Sequence, residues 1–270
     1  SQREHGTPRR GLWTIDELKR KARDVNDLHV VGVDPGKREL VVATDMEHPE
    51  STPVRYTLRQ RQYDLRTRAM EDAHRREVPF EVSSAVEDAS QSSSRTSSLE
   101  GFADYCRLRH AGMDACLRHY EHLPHRTRRW KTYIRSQASE QQLYRRIEQL
   151  HTSDDPRPLC LAYGSWGLVA GRVGACNKGN PPCVGVGLMR KLSKRFIVAL
   201  TPEQYTSKVC RRCDGLCGAH PTLRSKHGTE IRGLRLCQQD ACSLLQNRDK
   251  TGSYNIGRQF TRLMQGLPPL

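Results

Sequence analysis

The stretch that decides the fold lies between His29 and Thr44 and reads HVVGVDPGKRELVVAT. Its two apolar runs are rich in β-branched residues and are separated by a Pro-Gly pair at positions 35 and 36. Runs of this kind on either side of a Pro-Gly turn predict two antiparallel strands joined as a hairpin, His29–Asp34 and Glu39–Thr44. The hairpin therefore indicates that a β-sheet forms the centre of the fold.

Strand-like and helix-like segments alternate along the rest of the chain. Apolar runs predict further strands at Val54–Leu58, Leu159–Tyr163 and Phe196–Leu200. Helical spacing predicts helices at Thr14–Arg23, Arg59–Arg76, Leu99–His122 and Thr127–His151, and a last helix after Asn247. In the first of these helices, Thr14 is expected to cap the N-terminus and Leu18 to pack inward. This order predicts an α/β fold, a mixed sheet flanked by helices, with a helical insertion.

The composition points to a polyanionic partner. The chain of 270 residues has 45 Lys and Arg against 30 Asp and Glu, a formal net charge of +15, and 35 of the cations are Arg. Arginine forms bidentate hydrogen bonds with phosphate, so nucleic acid is the simplest partner. The alternative is a generally basic protein, which has the same excess of arginine. No apolar stretch is long enough to span a membrane, and no apolar N-terminal signal is present, so we expect neither a membrane protein nor an exported enzyme.

Two features distinguish the insertion. A Ser-rich stretch near 83–98 predicts a flexible linker. The helix at Thr127–His151 carries apolar residues at helical intervals among many arginines. Its basic face is interpreted either as a solvated amphipathic surface or as a support for a nucleic-acid backbone.

Five of the ten cysteines lie within a short segment. Cys210 and Cys213 form one pair, Cys237 and Cys242 form a second pair, and 23 residues separate the two pairs. Four thiolates in two close pairs predict one structural, tetrahedral Zn²⁺ site with no open coordination position. Isolated core thiols are the alternative, and a substitute for one ligand is available from Cys217, His220 or His227.

Three acidic residues are candidates for a Mg²⁺ site. Asp34 ends the first strand of the hairpin, and Asp249 lies in the first turn of the last helix, on the stripe that includes Ile256 and Phe260. No Asp or Glu occurs from 156 to 202. Glu203 is therefore the first acidic residue after this window, three residues beyond the strand predicted to end at Leu200. The ordinary alternative for Asp34 is a turn residue. For Asp249 it is an acid that interacts favourably with the helix dipole, and for Glu203 it is a solvated loop residue. Carboxylates at strand ends and on one helix are typical of the RNase H superfamily, whose enzymes hold two Mg²⁺ ions.

Three segments together resemble the RuvC-like nuclease half of TnpB proteins, and more closely that of the eukaryotic Fanzor proteins. The matching segments are Gly32–Arg38, Glu203–Cys213 and Arg248–Ile256. In TnpB the middle acid follows the strand before the glycine-rich region, where this chain has Ser165. In Fanzor-like proteins it precedes the zinc cysteines, where this chain has Glu203. The chain departs from the pattern at positions 251 and 252, which are Thr-Gly in place of Asn-Ala, and in the wide second cysteine pair.

The resemblance implies an RNA-guided DNA endonuclease with an RNase H-like (RuvC-like) sheet and an inserted zinc ribbon. Its partners are then an omega-type guide RNA and double-stranded target DNA. The resemblance also implies two catalytic Mg²⁺ ions held by Asp34, Glu203 and Asp249, and a nuclear location. The basic residues expected to contact guide or heteroduplex phosphates are Arg190, Lys191, Lys194 and Arg195, and a solvated positive loop is the alternative.

The same resemblance predicts a division of the chain into six segments. Residues 1–28 are expected to be the end of a wedge or recognition lobe, and the start at Ser1 agrees with a fragment or a processed chain. Three RuvC-like segments are expected at 29–58, 156–205 and 247–270. The helical insertion (59–155) separates the first of them from the second, and the zinc ribbon (206–246) separates the second from the third.

Two other functions remain open at this point. One is a non-catalytic, zinc-containing nucleic-acid-binding relative. The other is an unguided, structure-selective nuclease of the Holliday-junction-resolvase kind, which also begins with an Asp-Pro-Gly hairpin. The zinc cysteines disfavour this second alternative.

Overall fold

The computed structural model of the protein describes residues 9–21, 24–152, 154–165 and 185–270. The chain forms two compact units. The first contains the chain up to Leu58 and from Gln142 onward, and the second contains Arg59–Gln141. In the described ranges, no helix is both long enough and apolar enough to cross a membrane.

A six-stranded mixed sheet forms the centre of the first unit. Its strands are β1 (Gly11–Trp13), β2 (His29–Asp34), β3 (Glu39–Asp45), β4 (Val54–Thr57), β5 (Leu159–Gly164) and β6 (Ile197–Thr201). The strand order is β1-β6-β5-β2-β3-β4. Strands β1, β6, β5 and β2 pair in parallel, whereas β2, β3 and β4 pair antiparallel. The predicted hairpin and the predicted mixed α/β sheet are therefore confirmed.

Helices cover both faces of this sheet. They are α1 (Ile15–Lys21), the end of α7 (Leu123–Glu148), α8 (Gly185–Ser193) and α9 (Arg248–Met264). Successive strand residues point to opposite faces, so Val31 and Val33 pack with Leu143 and Leu192 on one side. On the other side, the core includes the following residues of β2, β5, α1 and α9: Val30, Cys160, Leu18, Ile256 and Phe260. The apolar alternation of the strands thus produces a core on each face.

The start of α1 follows the prediction. Thr14 Oγ1 accepts a hydrogen bond from the Glu17 N–H at 3.3 Å, and Glu17 Oε2 accepts one from the Thr14 N–H at 2.8 Å. This reciprocal pair is a capping box. Leu18 is fully buried, as expected.

The second unit is helical. It contains α3 (Thr67–Glu77), α4 (Phe80–Ser90), α5 (Leu99–Ala111) and α6 (Met113–Tyr120), most of α2 (Leu58–Leu65) and the beginning of α7. Two predictions are corrected here. The linker near 83–98 is helical as far as Ser90, because Val82 and Ala89 are buried. The helix predicted at Leu99–His122 divides at Gly112, where a Cβ atom would lie 2.5 Å from the Ala85 methyl group.

The helix expected at Thr127–His151 begins at Leu123 and ends at Glu148. Its last turns carry Leu143, Tyr144 and Ile147 into the core of the first unit. The helical insertion is expected to run to residue 155, whereas the second unit ends at Gln141. The end of this helix belongs to the sheet domain because its apolar residues are buried there.

A small antiparallel sheet precedes α9. It contains β7 (Cys217–Gly218), β8 (Leu234–Cys237) and β9 (Leu245–Asn247), in the order β7-β8-β9. Asn247, the last residue of β9, is also the N-cap of α9. This small sheet is therefore joined to the helix without a linker.

A buried histidine links the start of β2 to two acidic residues. His29 Nδ1 lies 3.0 Å from Asp155 Oδ2, and His29 Nε2 lies 3.1 Å from Asp45 Oδ1. The second contact is an ion pair rather than an aligned hydrogen bond. Interaction with Asp45, reinforced by Asp155, raises the pKa of His29 against the opposing effect of burial. Hydrogen bonds from Arg157 hold the pKa of Asp155 well below its usual range.

This network predicts a pH dependence of stability. The pKa of His29 is raised above 6.5 in the folded state, so its contribution is complete below pH 6.5 and is lost as the pH rises through the folded value. We expect His29→Gln to lower the free energy of unfolding by about 3 kcal/mol at about pH 6 and by much less at about pH 9. Urea denaturation at both pH values measures this difference.

The matched control is His48→Gln. His48 also contacts Asp45, but its side chain is 69% exposed, so its replacement should change the stability little at either pH. The account of the network is wrong if His29→Gln unfolds with the same pH dependence as the wild-type protein.

Candidate metal centres

The carboxyl ends of three parallel strands lie side by side. Val33 of β2 pairs with Tyr163 of β5, and Gly164 of β5 pairs with Thr201 of β6. Asp34 therefore ends its strand beside the end of β5, and the chain leaving Thr201 starts from the same edge. This edge of the sheet is where the sequence predicts the acidic residues to meet.

Helix α9 is positioned by a close approach to β2. A Cβ atom at Gly32 would overlap the Ser253 carbonyl oxygen and lie 2.8 Å from the Gly257 nitrogen. Ser253 also shares a hydrogen bond of 2.6 Å with Thr44, the residue paired with Gly32 on β3. The helix can approach this closely only because β2 has glycine at this position.

The N-terminus of α9 brings Asp249 to the acidic edge. Asn247 Oδ1 accepts hydrogen bonds from the N–H groups of Asp249 and Lys250, each at 3.0 Å, which fixes the first turn. One turn further, a Cβ atom at Gly252 would lie 2.6 Å from Asp34 Oδ2. The Asp34 carboxylate therefore lies against the first turns of the helix that carries Asp249.

Glu203 approaches the same edge from the end of β6. A Cβ atom at Gly164 would overlap Glu203 Oε1 and would lie 2.6 Å from its Cδ and 2.9 Å from its Cγ. The Glu203 side chain thus occupies the space that a side chain at Gly164 would need. Ser165, the next residue, is buried and bonds the Thr201 carbonyl through both its N–H and its hydroxyl, at 2.9 and 3.0 Å. The carboxylate of Glu203 therefore lies beside the end of β5.

Asp34 interacts electrostatically with the other two predicted acidic residues. Burial, together with the negative charges of Glu203 and Asp249, raises the pKa of Asp34 to about 8, and the positive charge of Arg248 opposes this shift. Arg248 itself donates to Asp249 Oδ1 from Nε at 2.9 Å and from Nη2 at 2.8 Å. The Arg248 guanidinium thus acts on two of the three carboxyl groups, those of Asp34 and Asp249. Oxygen donors with excess negative charge could hold a hard divalent cation.

Four cysteines form the second candidate centre. The Sγ atoms of Cys210, Cys213, Cys237 and Cys242 all lie within 4.8 Å of one another. Cys210 and Cys242 are 3.8 Å apart, and Cys213 and Cys237 are 3.4 Å apart. Tetrahedral bonds of about 2.3 Å to zinc place two sulfurs about 3.8 Å apart. The four cysteines could therefore hold a zinc ion with little rearrangement.

Tight turns form this cluster. The residue after each cysteine pair, Asp214 or Ser243, has a left-handed backbone, with φ of 57° and 40°. Burial raises the pKa of the Cys210 thiol, but hydrogen bonds, chiefly from the backbone N–H groups of Arg212 and Cys213, reverse the effect and leave it at about 7. A thiol with this pKa is readily deprotonated near neutral pH, as binding of a metal requires.

The alternative zinc ligands do not join the group. Cys217 is buried nearby, and its sulfur accepts a hydrogen bond of 2.8 Å from Gln246. His220 Nδ1 accepts one of 3.0 Å from the Leu223 N–H. In the described part of the chain, the ligand atoms that lie close together here belong to the four predicted cysteines, without Cys217, His220 or His227.

Hydrogen bonds connect the cysteine cluster to the acidic edge. Asn255 of α9 donates to the carbonyls of Thr206 and Val209, both at 2.8 Å. Thr206 in turn donates to the Glu203 carbonyl at 3.0 Å. The segment between Glu203 and Cys210 is thus fixed to the helix that bears Asp249.

The predicted basic group lies elsewhere. Arg190 and Lys191 are in α8, and Lys194 and Arg195 follow it, so all four precede β6 and lie towards its amino end, whereas Glu203 follows its carboxyl end. Arg195 bonds Glu148 at 2.7 and 3.2 Å. The structure therefore does not bring these cations to the acidic edge. Residues 166–184, most of the predicted glycine-rich region, lie outside the described residues.

The sequence analysis did not predict a role for two residues of the acidic edge. Gly164 and Gly252 bear no functional group, yet each makes room for a carboxylate. The available signal for Gly164 was its position at the end of β5, within the window that contains no Asp or Glu.

No protein-family model matches the chain, and no curated protein matches it significantly.

Proposed function

We propose that the chain is the nuclease portion of an RNA-guided DNA endonuclease of the Fanzor and TnpB kind, with an RNase H-like fold and divalent-metal chemistry. The observation that carries this proposal is the position of Glu203, whose carboxylate fills the space beside Gly164 and acts electrostatically on Asp34. A middle acid supplied from the segment before the zinc cysteines is the feature that the Fanzor resemblance implies.

The mixed sheet supports the same proposal. Its acids come from a strand end, from the segment after another strand, and from the first turn of a helix that packs on the sheet. This is the distribution of metal-binding carboxylates that the RNase H superfamily implies. The four-cysteine cluster lies in the sequence between Glu203 and Asp249, where the resemblance implies a zinc ribbon.

In the proposed mechanism, Asp34, Glu203 and Asp249 would hold Mg²⁺, and the bound metal would supply activation of water and stabilisation of the leaving oxygen of a phosphodiester. The protein contributes the convergence of the three acids. Asp34 must lose its proton before it can bind the cation, and its raised pKa makes this binding weaker at low pH. Arg248 orients Asp249 through two hydrogen bonds. The two glycines leave room for the carboxylates.

The proposed partners are a guide RNA and a double-stranded DNA target, and the proposed location is the nucleus. The net charge of +15 supports a polyanionic partner. Guide pairing would read the target sequence, and the protein would bind the heteroduplex through its shape and backbone. The four cysteines would hold one structural zinc ion.

The experiment that tests this function uses the purified chain and any RNA that accompanies it. The RNA is sequenced, and a matching DNA duplex is incubated with Mg²⁺ and wild-type protein or Asp34→Asn. We expect guide-dependent cutting by the wild type and at least about a thousandfold less by the variant, because loss of a metal ligand removes several kcal/mol of transition-state stabilisation. Asp104→Asn, which changes an exposed carboxylate of the second unit, should cut normally.

Each alternative has its own outcome. Nucleic-acid binding without cutting by the wild type would indicate the non-catalytic relative. Cutting of branched DNA without RNA would indicate the unguided nuclease. Either result would overturn the proposed function.

A further inference from the structure

The first half of α7 is a positively charged surface with exposed aromatic rings. From Leu123 to Ser139 it contains no Asp or Glu, and its cations are Arg126, Arg128, Arg129, Lys131 and Arg135. Trp130 is 62% exposed and Tyr133 is 54% exposed. Single exposed apolar side chains are ordinary on a protein surface, but two large rings together among cations are typical of a binding surface.

The two rings already form a stacked pair. Their centroids are 5.5 Å apart, and their planes are inclined by 25°. A nearly parallel, exposed pair offers flat apolar faces to a third ring. Tyr133 also lines a cavity of about 540 Å³ between helices of the second unit, together with His74, Tyr120 and Arg129.

Of the two arginines that directly precede Trp130 in the sequence, one is available to a ligand. Arg128 is occupied by an ion pair with Glu77. Arg129 is exposed, and within the described residues it forms no ion pair. Arg129 is adjacent to Trp130 in sequence and lines the same cavity as Tyr133, so a phosphate bound there would keep its base within reach of the rings.

We propose that Trp130 and Tyr133 form a stacking platform for the unpaired bases of a nucleic-acid single strand, with Arg129 at its phosphates. Aromatic rings beside cations are the usual means of binding single strands, because every base has a flat face. A duplex does not fit this chemistry, since its base faces are already covered. The ligand class agrees with the proposed function, but the platform does not depend on the acidic edge.

The test measures binding of fluorescein-labelled oligo(dT) and oligo(U) of about 12 nucleotides by fluorescence anisotropy, with the full chain freed of RNA and without Mg²⁺. We expect Trp130→Ala and Tyr133→Ala each to weaken binding by at least about tenfold. Tyr133→Phe keeps the ring and should bind as the wild type does. Phe80→Ala is the matched control, because it removes another exposed ring of the second unit, 85% accessible, and should have no effect.

Comparison of the two oligonucleotides shows whether the ligand is RNA or unpaired DNA. Tighter binding of oligo(U) assigns the platform to RNA, and tighter binding of oligo(dT) assigns it to unpaired DNA. The proposal is overturned if the double variant Trp130→Ala/Tyr133→Ala binds both oligonucleotides normally, or if its effect is on self-association instead. Because binding is measured without Mg²⁺ and without cleavage, a failure of the proposed nuclease activity can be distinguished from a failure of the platform.

Discussion

Replacement of Gly164 by alanine should reduce Mg²⁺-dependent DNA cleavage by about a thousandfold without unfolding the protein. The added methyl group would occupy the position of Glu203 Oε1, and the carboxylate is the end of a flexible side chain that can move aside. The backbone of Gly164 is extended, so alanine fits the strand. The loss would therefore come from the displaced carboxylate.

Three variants isolate this effect. Glu203→Gln should lose as much activity as Gly164→Ala, and the double variant should lose little more, because both changes remove the same interaction. Gly187→Ala is the matched control, since a Cβ atom there meets no atom within 4 Å. Full activity of Gly164→Ala, measured as the single-turnover cleavage rate, would show that Glu203 does not act from this position.

Loss of zinc should have the second large effect. We expect one zinc ion per chain by elemental analysis, and Cys213→Ser should lose most of it. Structural zinc sites in small domains supply about 10 kcal/mol or more of folding free energy. The segment 206–247 has few apolar contacts of its own apart from the cysteine cluster, so it should unfold without the metal. The loss should also reduce cleavage, because this segment joins Glu203 to Asp249.

Two controls separate a ligand from a neighbouring thiol. Cys217→Ser should retain zinc, since its sulfur lies outside the four-cysteine group and accepts from Gln246. Cys106→Ser changes an exposed thiol of the second unit and should also retain it. Zinc content unchanged in Cys213→Ser, or lost in Cys217→Ser, would contradict the assigned ligands.

The sequence predicts the elements of this fold whose patterns are local. The β2–β3 hairpin follows from two β-branched runs around Pro-Gly, and the buried stripe of α9 follows from the spacing of Ile256 and Phe260. The four cysteines are grouped by their own spacing. In each case one short segment contains the whole signal.

Features that depend on distant residues could not be predicted in this way. Strand β1 has three residues, too few to show a period, and is held by pairing with β6. Helix α4 lies in a Ser-rich segment, yet its buried Val82 and Ala89 stabilise it through tertiary packing. The role of Gly164 depends on a side chain that arrives from 39 positions later in the chain. Propensity and spacing contain no information about such contacts.

The most direct test of the shared carboxylate site is a crystal structure of the full chain with Mn²⁺, located by its anomalous scattering. We expect two ions about 4 Å apart, bound by oxygens of Asp34, Glu203 and Asp249. Mn²⁺ bound elsewhere, or a Glu203 carboxylate that stays away from bound metal, would contradict the account.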